Sequence, residues 1–235
     1  MKIPFSTDWR NVAISLSGGA DSALLAYLIC SSVTQEQFTL HCISHTRMWK
    51  TRPWQGWDSQ TVYRWLVKKF PHIHFKRHTN FIAPELEYGN IGPSLTDEYG
   101  KQVSGDNIEI RAFAEYVCFN EMVDAYFNGV TRNPKGIDLG GMPSRDIDPT
   151  PDNHHLLEMK HMGKMVYHPF RFIDKSEVVR KYRELDLMDL FELTRSCEGE
   201  FKNVNYESYT PGQWVPVCGE CFWCKEREWA IEQSK

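Results

Sequence analysis

The sequence lacks any long apolar segment. Its longest uninterrupted apolar run, ALLAYLIC, covers only residues 23–30, whereas about 20 apolar residues are needed to span a bilayer. The first ten residues, MKIPFSTDWR, also lack the apolar core of a signal peptide. These two absences predict a cytoplasmic protein without a membrane partner.

An excess of positive charge is absent too, as are internal repeats and low-complexity tracts. The 235 residues carry a formal net charge of -4 at pH 7, so the chain as a whole does not attract phosphate backbones. A simple DNA-binding module is therefore disfavoured. Hydrophobic residues make up 41% of the chain, which is enough for the core of one α/β domain with a small appendage.

Strand-like and helix-like apolar patterns alternate along most of the chain. Strands are predicted at residues 11–16, 38–44, 72–78 and 125–130, and helices at residues 21–32, 59–70, 109–123 and 175–185. This alternation predicts a Rossmann-like three-layer sandwich, with a mostly parallel sheet and helices on both faces. Residues 79–105 and 131–153 are rich in turn formers and predict loops, the second of a kind that lines sites.

A glycine pair interrupts the first strand-to-helix transition, in the motif SGGADS at residues 17–22. The motif has neither the lysine of a P-loop nor the third glycine of a dinucleotide fingerprint, so both are excluded. A strand that turns through Gly18 and Gly19 into a helix presents free N–H groups and a positive dipole to an anion. The Ser22 hydroxyl adds a donor, and Asp21 beside a phosphate indicates a bridging Mg²⁺. An ordinary turn and helix start is the competing interpretation.

Four of the seven cysteines lie near the C-terminal end. Cys197 is followed by CGECFWC, which contains Cys218, Cys221 and Cys224. Four thiolates at this spacing are enough for a closed tetrahedral zinc site. An iron–sulfur cluster is the alternative, because overlapping C-x-x-C steps also occur in ferredoxins. The remaining cysteines are predicted to be buried core residues: Cys30, Cys42 and Cys118.

The two motifs together resemble a known enzyme family. SGGADS is similar to the SGGxDS signature of the PP-loop ATP pyrophosphatases, and its combination with the C-terminal cysteines resembles the 7-cyano-7-deazaguanine synthases of that group. Three further segments are similar to the family, so the resemblance covers nearly the whole chain in outline. They are GDNIEIRAF from residue 105, NGVTRN and GGMPSRD in residues 128–146, and residues 168–197 with their DKSE helix start.

The resemblance implies a fold like that of the adenine nucleotide alpha hydrolases, with residues 1–190 as the ATP pyrophosphatase domain and 191–235 as a zinc module packed on it. ATP and Mg²⁺ would be bound by Ser15, Leu16, Ser17, Gly18, Gly19, Ala20, Asp21 and Ser22. The catalytic residues would be Asp21, Ser22 and Lys175, although an ordinary exposed lysine is an equal interpretation of Lys175. Substrate would contact Asn107, Arg111 and Arg145, and Zn²⁺ would be held by Cys197, Cys218, Cys221 and Cys224.

The family's reaction converts a carboxylate to a nitrile through two activations by ATP. The acid attacks the α-phosphorus to form an acyl-adenylate, ammonia displaces AMP to give the amide, and the amide oxygen is then activated and lost. For this chain the resemblance implies a deazapurine carboxylic acid, 7-carboxy-7-deazaguanine, and ammonia as substrates. It also implies a homodimer.

The loops that would face the substrate depart from the family pattern. Residues 45–58 replace a family motif, Asp106 and Ser144 stand where an arginine and an aspartate are usual, and the gap between Cys197 and Cys218 is long. Three alternatives therefore remain open. The chain could join a deazaguanine acid to an amine on a protein or nucleic acid, could be a PP-loop tRNA thiolase with an iron–sulfur cluster, or could be a zinc-ribbon binding module without catalysis.

Overall fold

A computed structural model describes residues 3–47, 54–82, 95–96, 102–103, 105–141, 159, 162–198 and 215–235. The strands in these ranges are β1 (Asn11–Ser15), β2 (Thr39–Arg47), β3 (His74–Ile82), β4 (Leu95–Thr96), β5 (Gln102–Val103), β6 (Ala125–Phe127) and β7 (Met165–Tyr167). The helices are α1 (Ala20–Ser32), α2 (Gln55–Lys69), α3 (Gly105–Asn120), α4 (Lys175–Glu184), α5 (Met188–Leu193) and α6 (Phe222–Gln233).

Five parallel strands form the main sheet, in the order β3-β2-β1-β6-β7. The chain moves outward from β1 through β2 to β3 and then returns to the other side of β1 with β6. The carboxyl ends of β1 and β6 therefore flank the point where the strand order reverses, which is where open α/β sheets bind ligands. A separate antiparallel pair is formed by β4 and β5.

Each face of the sheet carries its own apolar core, because successive side chains of a strand point to opposite faces. Val12 and Ile14 belong to the larger core, which also contains α1, α2, α4 and α5 residues. Ala13 and Ile43 belong to a smaller core with residues of α3 such as Val117. The predicted three-layer α/β architecture is confirmed.

The element boundaries differ from the predicted ones where polar residues mask the pattern. Helix α2 begins at Gln55 rather than residue 59, because the N–H groups of Trp57 and Asp58 already donate to the carbonyl of Trp54. Strand β3 continues to Ile82, in register with β2 up to Arg47. The elements β7, α5 and α6 were not predicted. They contain three, six and twelve residues, and segments this short show little apolar periodicity.

The three scattered cysteines are core residues, as predicted. Cys30 and Cys42 lie in the larger core and Cys118 lies in the smaller one. Burial raises the pKa of the Cys42 thiol to about 12, so this thiol is protonated at neutral pH. In the part of the chain that the structure describes, no helix is both apolar and long enough to cross a bilayer.

Candidate active site

The glycine loop lies directly after β1, at the reversal of strand order. Gly18 adopts φ +82, and a Cβ at this position would lie 2.6 Å from the Ser59 backbone nitrogen of α2. Gly19 caps α1 without a side-chain hydrogen bond. The Ser22 hydroxyl donates to the Gly19 carbonyl at 3.1 Å and accepts from the Ser17 N–H at 3.2 Å. Gly18 thus allows close packing against α2, while the start of α1 keeps backbone donors for a ligand.

A buried ion pair faces this loop from α4. The ammonium of Lys175 donates to Oδ2 of Asp21, and only 4% of the Lys175 side chain is exposed. Asp174 and Glu177 form a capping box that fixes the start of α4, so Lys175 occupies the first helical position. Lys175 is therefore not an ordinary exposed lysine. The other oxygen of Asp21, Oδ1, is buried and has no hydrogen-bond partner among the described residues.

The end of β6 forms a second strand end beside the loop. β6 stops at Phe127 rather than residue 130, and Asn128, Gly129, Val130 and Thr131 follow it along one cavity. A Cβ on Gly129 would lie 3.1 Å from backbone atoms of Asp21 and Ser22. Gly129 therefore lets the chain after β6 pass close to the first turn of α1.

These segments enclose a cavity of about 490 Å³, a volume typical of small-molecule sites. Of the predicted ATP-binding residues, Ser15, Ser17, Gly19, Asp21 and Ser22 line the cavity, and so does Lys175. Leu16 and Ala20 are instead buried in the larger core. The cavity is also lined by residues outside the predicted ATP-binding set: Trp54, Gln55, Asp58, Arg195, Glu198 and Trp223.

Asp58 is the most unusual acid at the cavity. Burial raises the pKa of its carboxyl to about 7, although the Arg195 guanidinium acts in the opposite direction. Asp58 lies in the first turn of α2, next to Gly18. The sequence carries no signal for this residue beyond its place in the divergent segment 45–58, because its environment comes from contacts with distant residues.

Arg195 joins the glycine loop to the C-terminal segment. Its N–H donates to the Gly18 carbonyl at 3.0 Å, and its guanidinium lies 4.6 Å from the ring centroid of Trp54. The same guanidinium donates to the carbonyls of Val215 and Pro216, just before the C-terminal cysteines. Arg195 therefore joins three segments that are far apart in sequence, the glycine loop through its backbone and the other two through its side chain.

The four C-terminal cysteines converge, as their spacing predicted. Their sulfur atoms all lie within 4.8 Å of one another, with Cys197 and Cys218 at 3.6 Å and Cys218 and Cys224 at 3.9 Å. The group begins α6, and Arg227 of α6 donates to Thr194 and to the Phe191 carbonyl, which anchors the helix on α5. Cys197 also lines the cavity.

The predicted substrate-binding residues are not among the described cavity residues. Arg111 lies on α3, which packs against β2 and β3. Asn107 belongs to the same helix, but its side chain lies outside the described part of the chain, as does the whole of Arg145. Their predicted roles remain predictions.

Comparisons with known proteins give only distant likenesses. No family model matches the chain, and no curated protein matches it. The U34-tRNA thiolase NcsA from Methanococcus maripaludis, solved with its [4Fe-4S] cluster, is similar over 78% of this chain and 59% of its own, with 15% identity and a TM-score of 0.44. This chain therefore spans less than two thirds of that protein.

Two synthetases are similar at the same level. An NH3-dependent NAD synthetase from Campylobacter jejuni covers 79% of this chain and 68% of its own, with 14% identity and a TM-score of 0.43. The NMN synthetase from Francisella tularensis covers 97% of this chain and 88% of its own, also with 14% identity and a TM-score of 0.43. At these values neither an activity nor a substrate carries over to this chain.

Proposed function

We propose that this chain is a PP-loop ATP pyrophosphatase that transfers AMP to a carboxylate and then joins the activated acid to an amine. The observation that supports this most is the buried pair of Asp21 and Lys175 beside the open N-terminus of α1. A buried cation next to free backbone N–H groups is suited to a polyphosphate. Its position at the reversal of strand order agrees with ligand sites in open α/β sheets.

Asp21 fits the Mg²⁺ that accompanies a nucleotide triphosphate. Its Oδ1 is buried and lacks a partner among the described residues, and a carboxylate oxygen is a preferred Mg²⁺ ligand. When bound, the ion supplies charge neutralisation for the phosphates. Lys175 and the N–H groups at the start of α1 hold the departing pyrophosphate, so its charge is stabilised as the bond to the α-phosphorus breaks.

Asp58 is suited to the second step, in which the amine attacks. The carbon–nitrogen bond forms, the bond between the acyl carbon and the AMP oxygen breaks, and the amine must lose a proton. A carboxyl with a pKa of about 7 accepts that proton near neutral pH, because its proton affinity is matched to the medium. Its place in the cavity wall, next to Gly18 of the glycine loop, suits this role.

The cysteine group fits one zinc ion. A tetrahedral site with Zn–S bonds of about 2.3 Å sets its sulfur atoms about 3.8 Å apart. In the structure two of the sulfur pairs are 3.6 Å and 3.9 Å apart, and all lie within 4.8 Å. In an iron–sulfur cluster the thiolates are divided among two or more irons, which places some pairs further apart. Cys197, Cys218, Cys221 and Cys224 would hold the zinc with no open position, and it would stabilise the fold.

The favoured acid is 7-carboxy-7-deazaguanine with ammonia as the amine, converted to 7-cyano-7-deazaguanine by a second adenylation of the amide. This choice is supported by the sequence resemblance. The divergent wall of the cavity, with Trp54 and Asp58, supports the alternative that the same acid is joined to an amine on a protein or nucleic acid. One observation favours a tRNA thiolase instead: Cys197 lines the cavity, where a metal cluster could act on the substrate.

One set of incubations separates these functions. The protein is given ATP, Mg²⁺, 7-carboxy-7-deazaguanine and ammonium, and AMP and the products are identified by mass spectrometry. We expect AMP and the nitrile. If AMP is released only when a protein or nucleic-acid amine replaces ammonium, the result supports the alternative acceptor. A brown protein with stoichiometric iron supports the thiolase. Absence of AMP under all of these conditions overturns the proposed function.

A further inference from the structure

Besides the four cysteines, a second cluster of metal-ligating side chains lies on the face of the sheet that carries the smaller core. His41 of β2, His78 of β3 and Glu121 just after α3 each offer one ligand atom, and these atoms lie within 4.8 Å of one another. We propose that His41, His78 and Glu121 form a binding site for a divalent transition-metal ion that fastens the end of α3 to β2 and β3.

The position of the cluster follows from the topology. His41 pairs in register with Ala13, two residues before Ser15 at the end of β1, and it points to the same face as Ile43 because strand side chains alternate. Helix α3 runs back across this face, so its C-terminal end and Glu121 reach the amino-terminal half of the strands. The cluster is therefore separate from the cavity, which lies at the carboxyl ends.

The distances suit a single small ion. Nδ1 of His41 lies 3.1 Å from Nε2 of His78 and 3.9 Å from Oε2 of Glu121. Tetrahedral coordination with bonds of about 2.0–2.2 Å places two ligand atoms about 3.4 Å apart. Changes of a few tenths of an ångström in these two distances would match this spacing, so the three groups could act as ligands on one side of an ion.

The donor set and its surroundings favour the same class of ion. Two imidazoles and one carboxylate suit Zn²⁺, Co²⁺, Ni²⁺ or Fe²⁺ better than Mg²⁺ or Ca²⁺. Burial lowers the pKa values of His41, to about 4, and of His78. The neutral imidazole is the form that binds a metal ion.

Two features limit the affinity of this cluster for a metal ion. The Lys76 ammonium lies 2.6 Å from Oε2 of Glu121 and must turn away, which its exposure of 43% allows. Nε2 of His41 is buried and has no hydrogen-bond partner among the described residues. Metal on Nδ1 requires the ring proton to be on Nε2, at the cost of an unsatisfied donor. We therefore expect this site to bind more weakly than the four thiolates.

The test counts bound metal in matched variants of the full chain. The parent, His78→Ala, His78→Gln, Glu121→Gln and His74→Ala are dialysed against graded free Zn²⁺, and zinc is measured by elemental analysis. His74 is the control, because it lies on the same strand and face but contacts Thr39 rather than the cluster. His78→Gln keeps a polar side chain at the site in case His78→Ala folds poorly.

We expect the parent and His74→Ala to bind one zinc more than either His78 variant, and Glu121→Gln to bind it about tenfold more weakly. Zinc should also raise the melting temperature of the parent beyond that of the His78 variants. Equal zinc content in the parent and the His78 variants overturns the proposal, whatever fills the cysteine group. Loss of the extra zinc in His74→Ala also overturns it, because the binding would then be nonspecific.

Discussion

The two sides of the cavity are built in different ways. The loop side includes Ser15, Ser17, Gly19, Asp21, Ser22 and Lys175, and all but the lysine lie within residues 15–22. The second side is called the far wall because its residues lie far from residues 15–22 in sequence. It consists of Trp54, Asp58, Arg195, Cys197 and Trp223, which come from the start of α2, the segment after α5, and α6. The loop side is organised by backbone hydrogen bonds and a helix start, whereas Arg195 links the segments of the far wall. The comparison shows that one site can combine a local motif with a wall that only tertiary contacts assemble.

The largest effect is expected from Asp21→Asn on the loop side. AMP release should fall by about 100-fold to 1000-fold, because a charge at the site of phosphate transfer is removed. Stability should fall as well, because the ammonium of Lys175 is buried and loses its carboxylate partner. The double variant Asp21→Asn with Lys175→Met should regain stability but not activity. AMP release and thermal melting of both variants test this.

Asp8→Asn serves as the control for that experiment, since Asp8 is exposed and far from the cavity. It should match the parent in both measurements. AMP release by Asp21→Asn at the parent rate would remove Asp21 from the mechanism and leave the loop side without its proposed role.

Asp58→Asn tests the far wall. Product formation with ammonium should fall by about 100-fold, because a positioned base contributes at least this factor. At a constant concentration of free ammonia, the rate of the parent should rise as the pH passes about 7, where the Asp58 carboxyl loses its proton. The variant should not show this rise. Rates measured between pH 5.5 and about 8.5 give the comparison, and an unchanged profile would exclude Asp58 as the base.

The same residue should affect stability with a defined sign. Because burial raises its pKa in the folded protein to about 7, the folded state holds the proton more tightly than the unfolded state does. The free energy of unfolding of the parent should therefore fall, relative to that of Asp58→Asn, as pH rises from about 4 to 7, by on the order of 3 kcal/mol. Denaturant melts at pH 4.5 and 7.5 measure this difference.

The paired variants Gly18→Ala and Gly19→Ala separate structure from binding on the loop side. Gly18→Ala should cost about 1–3 kcal/mol or more, because its φ of +82 disfavours a side chain and the Cβ would overlap the α2 backbone. Gly19→Ala should lower the free energy of unfolding by only about 1 kcal/mol, because the nearest atom to the new Cβ would lie 3.4 Å away. It should nevertheless weaken ATP binding. Urea melts and nucleotide titration check both. Equal stability of the two variants would contradict this assignment.

The smallest effect is expected from Arg195→Met on the far wall. The variant loses hydrogen bonds to the carbonyls of Val215 and Pro216 and the contact with Trp54. Metal affinity of the cysteine group should fall by about tenfold, as for other residues that support a metal site from behind its ligands. Competition with a chromogenic chelator measures this affinity. Arg195→Lys is the control and should lose less, because it keeps the charge.

Sequence patterns were informative where structure is local. The motif SGGADS predicted a strand, a turn and a helix start, and the structure has all three, because the hydrogen bonds of the turn and helix start join residues close in sequence. The cysteine spacing predicted a metal-binding group, and the four sulfur atoms do converge. Alternating strands and helices predicted the parallel sheet. The predicted starts of α2 and α3 lie several residues after the observed ones, because the first turns of both helices lack a periodic pattern of apolar residues.

The sequence by itself determined the order of strands and helices, the glycine loop and the identity of the four thiolates, because these depend on residue type and spacing. Only the tertiary structure decided that Lys175 is buried against Asp21, that Asp58 has a pKa of about 7, and that His41, His78 and Glu121 meet. Their partners lie up to 154 residues away, and both desolvation and Coulomb interactions depend on distance in space. A local pattern therefore cannot report them, whereas a folded sheet brings them within a few ångströms.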